Sequence, residues 1–145
     1  MSPWTDLALT GDSVIARAED DPFLTKAALA NAAKAYLVTH QAEDPDASPP
    51  NGSLAGLPPI QAHVGTFEML LDDARRYVAR ASEAKVDAVL HVWEGMPHVF
   101  PSSIGHLDAA EKALTLMGSF LMDQIGNYPP VPADDPSQAH ARACR

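Results

Sequence analysis

The chain has 145 residues, enough for one domain with its own core, and its 46% apolar and 20% charged residues are those of a globular protein. An excess of 19 Asp and Glu over 10 Lys and Arg gives a formal charge of −9, which argues against a nucleic-acid partner and against an anionic membrane surface, because both need a basic footprint. Cys144 is the only cysteine, so an intrachain disulfide framework and a cysteine-based metal site are excluded; no apolar run has membrane-spanning length, the opening Met1-Ser2-Pro3-Trp4 is not a signal peptide, and a cytoplasmic location is the default expectation.

Residues 1–22 read mostly as loop, with Trp4, the apolar Leu7-Ala8-Leu9 and an acidic turn at Glu19-Asp20-Asp21-Pro22. Alanine-rich residues 23–37 predict a helix with Leu29, Ala32, Ala33, Tyr36 and Leu37 on one face and Thr25 as an N-cap. Residues 38–59 hold so many Pro, Gly, Asp and Ser breakers that they read as a long connector. Residues 60–64 predict a short strand, with Ala62 and Val64 on one face and His63 on the other.

Residues 69–84 predict an amphipathic helix that turns Leu70, Ala74, Tyr77, Val78 and Ala81 inward and starts with Asp72 and Asp73, where the helix dipole favours them. Residues 86–93 predict a second strand that is apolar on both faces, as in a parallel sheet covered on both sides. Residues 107–125 predict the last helix, with Leu107, Ala110, Leu114, Met117 and Leu121 facing the sheet. A Pro-rich tail over 127–145 is expected to be disordered, from residue 130 in particular.

The order strand, helix, strand implies a crossover joining parallel strands. Glu68 follows the first strand and His98 follows the second, in the loop opened by Met96-Pro97. Both therefore fall at the carboxyl edge of the sheet, where sites form in open α/β folds. A carboxylate and an imidazole placed there have the chemistry of the acid–base half of a nucleophilic hydrolase. Spacing alone leaves the plainer reading open, in which His98 is structural or exposed, as His40, His63, His91, His106 and His140 are expected to be. No His/Asp/Glu cluster has metal-ligand spacing, so metal-dependent hydrolysis is disfavoured.

Three stretches carry a resemblance: Gly56-Leu57-Pro58-Pro59-Ile60-Gln61-Ala62-His63-Val64-Gly65, then Glu68-Met69-Leu70-Leu71-Asp72-Asp73-Ala74, then Trp93-Glu94-Gly95-Met96-Pro97-His98-Val99-Phe100. They resemble the C-terminal part of the hormone-sensitive-lipase-like family of α/β-hydrolases, which are carboxylesterases and lipases. Ser2-Pro3-Trp4-Thr5-Asp6-Leu7 resembles the segment after that fold's sixth strand, and the similarity runs over about residues 2–125. The resemblance implies an α/β fold class: a partial hydrolase domain over 1–126 with a short parallel sheet of about two strands and three main helices. It implies His98 as the triad base, Glu68 as the triad acid, an acyl-ester substrate for the complete enzyme, and no cofactor or metal. Members commonly have Asp one position before the acid, where this chain has Phe67.

The nucleophile is the part not found. The fold sets it in Gly-x-Ser-x-Gly on a strand-to-helix turn, with oxyanion donors in an earlier Gly-rich loop. Gly11-Asp12-Ser13-Val14-Ile15 lacks the closing glycine, and Gly52-Ser53-Leu54-Ala55-Gly56 has Leu54 in the nucleophile's place. No His-Gly-Gly-Gly occurs. The expectation is the second half of a hydrolase, from a truncated gene, a split product or a misplaced start, inactive alone. Its exposed sheet edge would favour self-association or pairing with an N-terminal half, and a non-catalytic interaction module is the alternative.

Overall fold

Two parallel strands and the helix between them carry the architecture. The computed structural model describes residues 1–127; the rest of the predicted tail lies outside the described residues. In chain order the elements are α1 (Ser13–Ala16), α2 (Lys26–Leu37), β1 (Ile60–Phe67), α3 (Leu71–Glu83), β2 (Ala88–Pro97) and α4 (Asp108–Asn127), with 3₁₀ turns at Pro49–Asn51 and Phe100–Ser103. β1 and β2 pair in parallel from Ile60 opposite Ala88 to Gly65 opposite Trp93. The short parallel sheet of about two strands expected from the sequence is the one found among the described residues.

α3 packs on the sheet through two adjoining clusters. Val64, Leu71 and Ala74 are buried with Leu90 against them, and Leu54, Ala81 and Val86 are buried beside Ile60 and Tyr77. Each large apolar side chain so buried contributes roughly 2 kcal/mol. A third cluster of Val14, Leu29, Met69 and Leu70, flanked by Trp4, Leu9 and Leu24, fastens the N-terminal arm to the corner between β1 and α3.

The acidic residues explain how the arm stays down. Asp73 Oδ2 accepts the backbone N–H groups of Thr5 and Asp6, both at 2.8 Å. Asp21 accepts from the N–H groups of Phe23 and Leu24 through Oδ1 and from that of Met69 through Oδ2. Asp6 pairs with Arg76 at 2.9 Å. Burial alone would raise the Asp6 carboxyl, but hydrogen bonds from Thr10 and Arg76 outweigh it and lower its pKa. Burial wins at Asp73, which is raised despite its two N–H donors, and its Oδ1 makes no hydrogen bond. The negative charge is thus partly structural, since it satisfies the backbone donors of a loop-rich arm.

Several boundaries differ from the sequence expectations. The first helix starts at Lys26, not residue 23, because Thr25 caps it by accepting the Ala28 N–H at 3.1 Å. A short helix, α1, replaces loop at Ser13, where Asp72 Oδ2 accepts the Ser13 N–H. β1 runs three residues beyond the expected end, and β2 is displaced toward Pro97, because pairing resumes with Phe67 opposite Pro97. β2 is not covered on both sides: Val89 and Val92 are 45% and 43% exposed. Leu121 does not face the sheet; it is 56% exposed, and α4 packs through Ala110 and Ala113.

The resumption of pairing depends on a close approach. Between the pairs Gly65–Trp93 and Phe67–Pro97, β2 spends two more residues than β1, and Gly95 adopts φ +70° with its N–H donated to Thr66 Oγ1 at 2.8 Å. A Cβ on Gly65 would lie 1.9 Å from the Met96 carbonyl oxygen, so only glycine fits. Gly65→Ala is expected to destabilise the chain by on the order of 3 kcal/mol, measured by urea unfolding. A midpoint within error of the wild type would show that the approach is not required.

Candidate acid–base site

The bulge delivers the two residues at the carboxyl edge to one another. Glu68 is the first residue after β1, and His98 is the first after β2. Their side chains meet, with His98 Nδ1 3.0 Å from Glu68 Oε2. Glu68 is fully buried, while the His98 side chain keeps 20% of its surface exposed. A buried carboxyl is costly unless both oxygens are satisfied. Here Oε1 accepts the Gly65 N–H and the Ser2 hydroxyl, the latter at 3.0 Å, leaving Oε2 for the imidazole. The carboxyl is an acceptor, so Nδ1 carries the proton in this contact, and Nε2 has no hydrogen-bond partner among the described residues.

The turn that holds His98 is braced from two sides. Val99 sits at φ 54°, ψ 29°, a left-handed conformation costly for a β-branched residue, and its N–H donates to Ser2 Oγ at 3.1 Å. Next in the chain, Phe100 is buried and packs on Trp93 with ring centroids 5.4 Å apart. Trp93 in turn donates its indole N–H to His63 Nδ1 at 3.1 Å. Since indole only donates, His63 must carry its proton on Nε2, which donates to Gln61 Oε1 at 2.9 Å. His63 also stacks on His91, with centroids 4.6 Å apart.

Glu68 and His98, singled out in the sequence, are therefore brought together. Ser13 is not part of that site: its hydroxyl donates to the Met69 carbonyl at 2.7 Å and accepts the Asp72 N–H, which makes it an anchor for the arm. Ser53 is exposed in the connector and accepts the Ala55 N–H. Sequence reasoning missed Ser2, for which no local signal exists, since its role depends on contacts with residues far along the chain. No group of three or more His, Cys, Asp or Glu side chains is gathered to hold a metal ion among the described residues. A cleft of about 200 Å³ lies between the arm, the connector and α3, lined in part by Thr10, Asn51, Arg76 and Arg80, and does not include Glu68 or His98.

A parallel strand–helix–strand unit with a carboxyl and an imidazole joined at its carboxyl edge points to one class of α/β protein. The family model described as alpha/beta hydrolase fold matches residues 1–102. The chain belongs to the α/β-hydrolase fold family and is similar to its hormone-sensitive-lipase members. It is 36% identical over 126 residues to an acetyl-hydrolase of Streptomyces hygroscopicus, covering 87% of this chain and 42% of that protein. It is 36% identical over 121 residues to an esterase of Acinetobacter venetianus, covering 83% of this chain and 40% of that one. Among solved structures, an esterase from the bacterial hormone-sensitive lipase family superposes with a TM-score of 0.84 at 42% identity, over 86% of this chain and 42% of that chain. The chain thus spans about two fifths of the length of these relatives. No helix among the described residues is long and apolar enough to cross a membrane.

Burial, with His91 adding a smaller effect, pushes His63 down to about 4. A histidine with a lowered folded pKa takes up its proton more readily when unfolded, so its contribution to stability is lost as pH falls from about 6.5 toward about 4. Wild type is expected to lose stability relative to His63→Gln across that window, as read from thermal midpoints of both proteins. Parallel curves would show that His63 titrates alike in the folded and unfolded chain.

Proposed function

We propose that this chain supplies the acid and the base of a serine ester hydrolase. His98 Nε2 takes the proton of a serine hydroxyl as it attacks an acyl ester, and the Glu68 carboxyl holds the opposite ring nitrogen in its protonated form and stabilises the imidazolium. The same nitrogen then returns the proton to the departing alcohol, and water repeats the cycle on the acyl-enzyme. The observation that carries this reading is the 3.0 Å contact between Glu68 Oε2 and His98 Nδ1, with Nε2 unpartnered among the described residues. It agrees with the esterases and acetyl-hydrolase to which the chain is similar.

The nucleophile and oxyanion donors come from outside these residues, because the sequence holds neither Gly-x-Ser-x-Gly nor a His-Gly-Gly-Gly loop. By themselves these residues are therefore inactive, and they act together with a segment that carries the nucleophile and the preceding strands. The half-exposed Val89 and Val92 on β2, together with Leu121, Met122 and Ile125 on α4, supply apolar surface for that association.

The purified chain is expected to release no p-nitrophenol from p-nitrophenyl butyrate. Co-expression with the N-terminal part of a related esterase is expected to restore turnover, and His98→Ala is expected to lower it by about 10³-fold or more. Hydrolysis by the chain alone, or restored turnover that survives His98→Ala, would overturn the assignment.

A further inference from the structure

We infer that Ser2 is a positioning residue for this pair, acting through Glu68 and not on the substrate. The inference rests on the reading of Glu68 and His98 as acid and base. Ser2 Oγ does two things with one hydroxyl: it donates to Glu68 Oε1 at 3.0 Å and accepts the Val99 N–H at 3.1 Å. It thus ties the carboxyl to the backbone immediately after the imidazole, which lies 97 positions away from Ser2 itself in the case of Val99. Ser2 is held in place, since it is 5% exposed and its own N–H donates to the His63 carbonyl of β1 at 2.7 Å.

The consequence is geometric. With Oε1 taken by Gly65 and Ser2, the carboxyl has one oxygen free for the ring, and rotation that would swap the two oxygens breaks two hydrogen bonds. The Val99 tie fixes the turn on the other side, where the left-handed backbone would otherwise relax. Ser2 itself has φ 39°, unfavourable for serine, so the arm bears strain at the residue that makes the bridge. Removing the hydroxyl leaves Val99 N–H without its acceptor and Glu68 Oε1 with one donor.

The state of the His98 ring reads this directly. In the ¹⁵N-labelled 145-residue chain at about pH 8, above the ordinary histidine range, the wild type is expected to show His98 as a single tautomer protonated at Nδ1. Ser2→Ala and Ser2→Gly are each expected to lower the ratio of the Nδ1–H to the Nε2–H form by about tenfold, the scale of one lost hydrogen bond to a charged group. Ser2→Gly removes the hydroxyl and also relieves the positive φ, so a drop shared by both variants is not an effect of backbone strain. Ser13→Ala, which removes another buried anchor of the same arm, is expected to lower the thermal midpoint and leave the ratio unchanged. If Glu68→Gln shifts the ratio and neither Ser2 variant does, the positioning role is wrong and the pair stands. If Glu68→Gln also leaves it unchanged, the acid–base reading falls and takes the Ser2 role with it.

Discussion

A carboxyl with no exposed surface sets the terms for the rest of this molecule. Glu68 sits at the end of β1 with both oxygens engaged, Oε1 by Gly65 and Ser2 and Oε2 by His98. Leaving a buried acceptor unsatisfied costs about 1–3 kcal/mol, and more when it is charged. Each partner therefore has to be held in place. Gly65 lies within its own strand, but Ser2 comes from the N-terminal arm and His98 from the far side of the α3 crossover. The arm's hydrogen bonds to Asp73 and the bulge in β2 both serve that one requirement.

Part of the chain's unfavourable backbone lies at the same place, while Leu9, Val38 and Lys85 have positive φ elsewhere. Val99 and Ser2 have positive φ, Gly95 sits at φ +70° in the bulge, and Gly65 tolerates the Met96 carbonyl only because it has no Cβ. Such conformations persist where surrounding contacts determine them. Here the determining contacts are identifiable: Thr66 holds Gly95, Ser2 holds Val99, and the stack from His91 through His63 and Trp93 to Phe100 supports the turn from beneath. The aromatic stack thus links the interior of the sheet to the position of the imidazole.

The central unit was legible in the sequence because it rests on local rules. Strand and helix periods differ, a crossover helix implies parallel strands, and residues after parallel strands share one edge. Those rules suffice to place Glu68 and His98 near one another. They do not show Ser2, whose contacts lie 66 and 97 positions away, nor the bulge that carries pairing from Trp93 to Pro97. Asp73 stands in the first turn of α3, as the sequence implies, but the same rules do not show that the arm buries it fully. Leu121 reads as core because periodicity reports a face and not what stands opposite that face. Ser13 and Ser53 carry partial nucleophile patterns, and the hydrogen bonds of both hydroxyls are structural.

The distribution of contacts separates two parts of the proposed enzyme. Every hydrogen bond to Glu68, and the one made by His98, comes from within this chain. Glu68 thus has both oxygens engaged by residues of this chain. What is left open is the sheet, where Val89 and Val92 stay half-exposed and β2 has one partner among the described residues. The arm, β1, α3 and β2 thus form one unit in which the contact between Glu68 and His98 is complete while the apolar surface is not. Association with the rest of a hydrolase would then be driven by burying that surface, a non-directional force that scales with area. Orientation of the imidazole would be settled before the nucleophile arrives, by the hydrogen bonds that Glu68 already makes.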